Sequence, residues 1–336
     1  QPTESETGSQ VQGNPPAAQG VDTLPPQNGN DVLDLGKKQA RYDAPHDGYS
    51  SSKDGPQPMT GQIYEDGVHC KGMRGSTNLS TNGKSKYQWF DPSLIHHGPG
   101  TFFGGGTNFW QGGACMFDGL PHNNLPSVAM DETYYQGGLA CGTCVEIAPT
   151  SASLFSNSAK WSVETPQRGA LPPGKKTVAI VSDHCPDVNQ CLSGLDMHPD
   201  TWNSVTSGAA PSKLPIHWRF VNCKEAFERS GIKHLQVHWR EGANPGFFQV
   251  QIRGNHEAVV KVEMRLGRRA WVAATQVDNS WWKWETEDTA GCGEHTPVAF
   301  RVTDWQGQTI TSEVGTVMNK DLFFEANFDR PSFDGA

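Results

Sequence analysis

Apolar and polar residues alternate through the last third of the chain. His234-Leu-Gln-Val-His-Trp239, Phe247-Phe-Gln-Val-Gln-Ile252 and Val259-Val-Lys-Val-Glu-Met264 carry the two-residue period of half-buried strands. Trp271-Val-Ala-Ala-Thr, Val298-Ala-Phe-Arg-Val302 and Thr309-Ile-Thr-Ser continue it, with Asp304-Trp-Gln-Gly307 as a turn. Short strands at this spacing predict a β-sandwich of about 100 residues over 229–336.

Between about 96 and 228 short apolar runs are broken by Gly, Pro and Asn, which predicts many strands and turns. Candidate strands are Gly100–Phe103, Cys144–Ala148, Thr177–Ser182 and Ile216–Asn222. Lys176-Thr-Val-Ala-Ile-Val-Ser182 reads as a buried or barrel strand that delivers Asp183 at a rim. Pro199-Asp-Thr-Trp-Asn-Ser-Val205 predicts a short helical turn with Pro near its start. Asp196, just ahead of it, is expected in a loop or at the start of that turn, where it is either a site residue or a cap.

Residues 1–60 are rich in Gln, Pro, Gly, Ser and Asn, and they predict a disordered N-terminal extension. Its one apolar cluster is Asp31-Val-Leu-Asp-Leu35. Residues 61–95 read as a partly ordered extension, and Tyr87-Gln-Trp89-Phe90 predicts packing against a larger body. The sequence contains no long amphipathic helix, P-loop, dinucleotide fingerprint or internal repeat.

At 336 residues the chain has room for two ordinary domains. Its net charge of −9 argues against a general polyanion binder such as a nucleic-acid protein. No apolar stretch is long enough for a membrane span. No charged-then-apolar leader precedes Gln1, so a signal peptide is expected to have been removed. Eight cysteines, an even number, fit an oxidising compartment. Cys141-Gly-Thr-Cys144 has zinc or redox spacing, yet no second such pair or well-placed His completes a metal site, so structural disulfides are expected. Asn78-Leu-Ser80 is a glycosylation sequon. Eleven Trp stand against six Tyr, which leaves some for a binding surface after the core is filled.

The candidate chemistry lies in Val-Ser-Asp183-His-Cys185-Pro and Gly194-Leu-Asp196-Met-His-Pro-Asp200-Thr-Trp202. Gly100-Thr101-Phe-Phe-Gly-Gly-Gly106 and Gly113-Ala-Cys115 stand upstream, and Trp218-Arg-Phe-Val-Asn-Cys223 downstream. A hydroxyl and two carboxylates on a Cys-braced β framework suit a neutral, hydroxyl-rich ligand, and paired carboxylates are the usual equipment for protonating a glycosidic oxygen. His184 and His198 flank the carboxylates and carry no assigned role. Tyr134, Tyr135 and Trp110 are candidates for the groove wall or for packing, and Trp202 for the core behind the site.

In order and wording, these segments resemble the expansins, plant cell-wall-loosening proteins and their microbial relatives. The resemblance covers roughly 97–336 and is most specific before 229. It implies a mainly β architecture: a six-stranded double-psi β-barrel over 96–228, a fold shared with family 45 glycoside hydrolases, then an immunoglobulin-like, carbohydrate-binding β-sandwich over 229–336. It also implies Thr101, Asp183 and Asp196 as groove residues, with Asp196 at the position of the hydrolases' general acid. Leu195-Asp196-Met197 stands where many plant members have His-Phe-Asp. The stretch from Thr101 to Gly113, where the hydrolases carry their base, holds no Asp or Glu, and Asp118 does not match that position. Ordinary inverting hydrolysis is therefore not expected.

For the second domain the resemblance implies a row of aromatic residues, with Phe247, Phe248, Trp281 and Trp282 as candidates for a polysaccharide platform or for the sandwich core. It implies disulfides Cys115–Cys141, Cys144–Cys223 and Cys185–Cys191. Cys70 and Cys292 are left over to pair with each other. The expected protein is a secreted monomer that binds cellulose and related wall glucans and loosens them without hydrolysis. No metal or organic cofactor, nucleic acid or membrane is implied. Rival readings are a family-45-like endoglucanase, a peptidoglycan lytic transglycosylase, and an inert wall-binding protein.

Overall fold

The computed structural model of the chain describes residues 67–74, 87–104, 113–117, 125–149, 165–208, 213–277 and 280–329. The extension over 1–60, Asn78, Trp110 and Asp118 lie outside these residues.

Two short strands come first, β1 (Val68–Cys70) and β2 (Gly72–Arg74). A 3-10 turn over Gln88–Phe90 leads into β3 (Leu94–Phe102), β4 (Ser127–Asp131), β5 (Cys144–Pro149), β6 (Gln167–Arg168), β7 (Thr177–Cys185), β8 (Leu195–Met197) and β9 (Leu214–Val221). Helices α1 (Glu132–Tyr135), α2 (Val188–Cys191), α3 (Pro199–Thr206) and α4 (Lys224–Arg229) punctuate this half. The order β3-β8-β4-β7-β5-β9, with β9 pairing back to β3, closes a six-stranded barrel. β3–β8 and β4–β7 are parallel, and the other pairings within the ring are antiparallel. This is the expected double-psi barrel.

Alternation sorts the side chains of these strands. Val128 and Met130 of β4, Ala179 and Val181 of β7, Leu195 and Met197 of β8, and Trp218 and Phe220 of β9 fill the interior. His96 of β3 lies among them, its ring stacked on Trp218 at 4.2 Å, and burial lowers its pKa to about 4. Phe90 packs edge-on against Phe220 at 4.7 Å, which ties the segment before β3 to the barrel.

The rest of the chain forms β10 (Leu235–Trp239), β11 (Phe247–Arg253), β12 (Val259–Leu266), β13 (Val272–Ala273), β14 (Thr275–Gln276), β15 (Trp281–Glu285), β16 (Val298–Asp304), β17 (Thr309–Ser312) and β18 (Leu322–Phe324). One sheet runs β1-β18-β10-β11-β15-β14 and the other β13-β12-β16-β17-β2. Val237, Val250, Ile252 and Trp282 of the first meet Val262, Met264, Phe300 and Val302 of the second in one apolar cluster. β1 and β2 belong to this sandwich although they precede the barrel in sequence: β1 pairs in parallel with β18, and β2 pairs antiparallel with β17.

Polar contacts join barrel and sandwich. The Cys223 backbone amide donates to the His256 carbonyl at 2.9 Å, and Asn222 Nδ2 donates to Glu257 Oε1 at 2.8 Å. Ala258 and Trp305 of the sandwich half pack within the barrel's apolar cluster.

Disulfides Cys115–Cys141, Cys144–Cys223 and Cys185–Cys191 form as expected. The expected Cys70–Cys292 bond does not form: both are free thiols. Cys70 is buried on β1 within the sandwich core, and Cys292 packs half-buried on its margin after β15.

Candidate functional site

Four residues on four adjacent strands form one transverse row. Thr101 of β3 is registered with Asp196 of β8, Asp196 with Ala129 of β4, and Ala129 with Asp183 of β7. Registered neighbours project from the same face of a sheet. Ala129 lies outside the barrel's interior cluster and packs instead with Cys185, Cys191 and Phe103, so the row faces outward.

Asp183 reaches this face through an irregularity. Val181 points inward, and strict alternation would point Asp183 inward too. The β4–β7 register shifts between Val128 and Ala129, whose partners are Val181 and Asp183, so Ser182 is an extra residue. A bulge of this kind re-aims the side chain that follows it. Asp196 differs from expectation in a related way: it sits within strand β8, rather than in a loop or at a helix start.

The segment linking the two carboxylates is braced. Cys185–Cys191 joins the end of β7 to the end of α2. Asp187 caps α2 by accepting from the Asn189 amide at 2.9 Å. The Ser193 amide donates to Asp131 at 2.5 Å, and the Trp218 indole donates to the Ser193 carbonyl at 3.0 Å. At Gly194 an added Cβ would lie 1.9 Å from the Pro99 carbonyl oxygen, so only glycine lets this turn seat β8 beside β3.

The Thr101 hydroxyl donates to Asp196 Oδ1 at 2.7 Å. Asp183 Oδ1 accepts from the Ala114 amide at 2.6 Å and the His184 amide at 2.8 Å. Burial pushes the Asp196 carboxyl above its ordinary pKa; the Thr101 hydrogen bond pulls it back, and the Asp183 charge pushes it up again. Asp183 is also raised by burial, against the pull of the Ala114 and His184 amides. Carboxyls biased upward in this way hold a proton closer to neutrality, which suits hydrogen-bond donation to a sugar oxygen.

The aromatic candidates divide sharply. Phe247 is 42% exposed on β11. Phe248, one residue on, faces the sandwich core, stacked on Trp284 at 5.6 Å and tilted against Trp239 at 5.1 Å. Trp282 belongs to the same core. Trp281 projects from the opposite face beside Gln251, where the barrel junction and the Arg240 guanidinium, 5.5 Å from its ring centroid, bury it. Tyr134 is buried against His96 and Trp218. The burial of Phe248, Trp281, Trp282 and Tyr134 corrects the expectation of sugar-stacking rings at these positions, because a ring in a packed interior presents no face to a polymer. Of the rings named from sequence for stacking, Phe247 alone among the described residues stands open.

Phe103 was missed. It is half-buried beside Ala129, in the middle of the row, with His198 edge-on at 6.2 Å. Its place two residues after Thr101 in Gly100-Thr101-Phe-Phe, on the same face of an extended chain, was the available signal.

No protein-family model matches the sequence, and no curated protein sequence matches it. Among solved structures, the crystal structure of an apo expansin from Clavibacter michiganensis aligns with a TM-score of 0.50. The match covers 70% of this chain and 99% of that one, at 19% identity. A mutant of the Clavibacter michiganensis expansin in complex with cellohexaose aligns with a TM-score of 0.48 at 17% identity, with the same coverage. At such identities the likeness to the apo structure establishes the fold: a barrel and a sandwich arranged as in an expansin.

Proposed function

We propose that this chain is a secreted, expansin-like protein that binds cellulose-rich wall polysaccharide and loosens it without net hydrolysis. The expansin fold supports the class, and the outward row Thr101–Asp196–Ala129–Asp183 supports the site. Its hydroxyl and two carboxyls are hydrogen-bonding groups matched to the hydroxyls of a neutral glucan.

One observation carries the non-hydrolytic part. Asp183 and Asp196 rise from the same wall, separated by two strand spacings of about 4.8 Å each. An inverting pair must straddle the glycosidic bond, the acid on one side and the base with its water on the other. A glucan lying along this wall meets both carboxyls on one side. Asp196 then exchanges hydrogen bonds with the chain and competes with those that hold it to its neighbours.

Secretion is supported by three disulfides, which persist in oxidising surroundings. No helix among the described residues is long and apolar enough to cross a membrane. Phe247 supplies an exposed ring on the sandwich for stacking on a sugar face.

The test is extension of cellulose-rich wall strips under constant load, with wild type and Asp196→Asn compared at equal bound protein. Extension by the wild type that is lost in a folded, cellulose-bound Asp196→Asn supports the reading. Equal extension by both removes Asp196 from the mechanism.

A further inference from the structure

We infer that Gln251 and Ser280, both in the sandwich, are positioning residues for Asp183 in the barrel. The inference rests on the reading of Asp183 as a site carboxylate. The link is the loop over 113–117, which has no regular secondary structure. Its Ala114 amide holds Asp183 Oδ1 at 2.6 Å. The next residue, Cys115, offers its carbonyl to the sandwich, where Gln251 Nε2 donates to it at 2.7 Å and Ser280 Oγ at 3.1 Å. The same Gln251 nitrogen donates to Ser280 Oγ at 2.7 Å, so both of its hydrogens are used.

The orientation of the Gln251 amide is imposed from behind. Arg253 Nε donates to Gln251 Oε1 at 2.6 Å. A guanidinium has no acceptor, so the amide oxygen must face Arg253 and the NH2 group must face Cys115. Arg253 is itself fixed in a buried polar group. Asp321 accepts from Gln236 at 2.6 Å and from His238 at 2.9 Å. Burial works against the charge on Asp321, yet His238 and Arg253 hold its pKa below the ordinary value. Gln251 is fully buried, and Arg253 and His238 nearly so. Buried at these positions, the hydrogen bonds that Gln251 makes act in a low-dielectric setting that strengthens them. A run of hydrogen bonds thus starts at Arg253, passes Gln251 and Ser280, and ends one residue from the amide that grips Asp183, while Asp321 acts on Arg253 through its charge. The Cys115–Cys141 disulfide anchors the same loop to the barrel.

The sandwich in this account sets the geometry and proton affinity of a barrel carboxylate, in addition to any contact of its own with polymer. The test uses the full chain with Ser280→Ala and Gln251→Leu. The Asp183 carboxyl carbon and the Ala114 amide proton are followed by NMR across pH, with cellulose-strip extension measured in parallel. With its amide donor loosened, Asp183 is expected to titrate at higher pH than in the wild type, because an amide hydrogen bond favours the carboxylate. The Ala114 proton is expected to move upfield, more in Gln251→Leu than in Ser280→Ala. Wild-type values for both signals in a folded variant overturn the inference. If Gln251→Leu does not fold, Ser280→Ala decides. A shifted Asp183 titration with extension unchanged supports the positioning role and instead strikes out Asp183 as a site residue.

Discussion

Thr101 and Asp196 are registered partners on parallel strands β3 and β8, and the Thr101 hydroxyl donates to the Asp196 carboxylate at 2.7 Å. Strand pairing brings their Cα atoms together, and Gly194 permits the approach of the two strands. The hydroxyl then does two things: it aims the carboxyl, and it favours its ionised form.

Thr101→Val keeps the strand shape and removes the donor. With the downward pull of the hydroxyl gone, Asp196 should titrate at higher pH than in the wild type. Hydrogen bonds to charged groups are worth about 1.5–3 kcal/mol, so wall-strip extension should fall roughly tenfold or more. Titration of the carboxyl carbon by NMR, with extension assays beside it, checks both.

The strand-rich halves, the sandwich and the segments carrying Asp183 and Asp196 were legible in the sequence, whereas the barrel, Thr101 and the pairing of three disulfides came through the family resemblance. Apolar runs and alternation marked β5, β7, β9 and most sandwich strands, because each has enough residues to display its period. β8 was missed because its three residues are too few to show one. The bulge at Ser182 was invisible because a register shift depends on the partner strand. β1 and β2 escaped because their pairing partners lie near the other end of the chain. Phe248 and Trp282 were misjudged because alternation gives two faces without saying which is buried.

Phe247 and Phe248 offer a matched test on adjacent residues. Phe247→Ala should weaken cellulose binding several-fold with little change in melting temperature, since the residue is 42% exposed and lies outside the sandwich core. Phe248→Ala opens a cavity in the sandwich core and should cost about 3–5 kcal/mol of stability. Pull-down on cellulose and denaturant unfolding separate the two effects.

The place of β1 and β2 predicts the effect of truncation. A chain beginning after Arg74 leaves the β18 and β17 edges unpaired and removes Cys70 from the sandwich core. It should melt at lower temperature than the full chain and associate at high concentration, as scanning calorimetry and light scattering would record.

Two buried groups give stability opposite pH slopes. His96 titrates at about 4 in the fold against 6.5 for an ordinary His. Between those values the unfolded chain binds the extra proton, so this contribution is complete above 6.5. It is lost as pH falls towards 4, by about 3 kcal/mol in all. Asp304 is raised from 3.8 to about 7, chiefly by burial, so here the folded chain binds the extra proton and stability falls as pH rises through that window. His96→Phe should flatten the acid side of the stability curve. Asp304→Asn keeps an oxygen for the Gln306 and Gln308 amides and removes the buried charge. It should raise the melting temperature at a pH of about 8, where the shift corresponds to roughly 4 kcal/mol of stability, and leave it nearly unchanged near pH 4. Thermal melts across pH check both.

The most direct measurement incubates the pure protein with amorphous cellulose, and in parallel with peptidoglycan, and determines bound protein and soluble saccharides by mass spectrometry. Two carboxyls on one wall predict protein bound to cellulose and no released sugar from either polymer. Cello-oligosaccharides, or anhydro-muropeptides, accumulating with time and disappearing in Asp196→Asn would contradict the account and make the row a catalytic one.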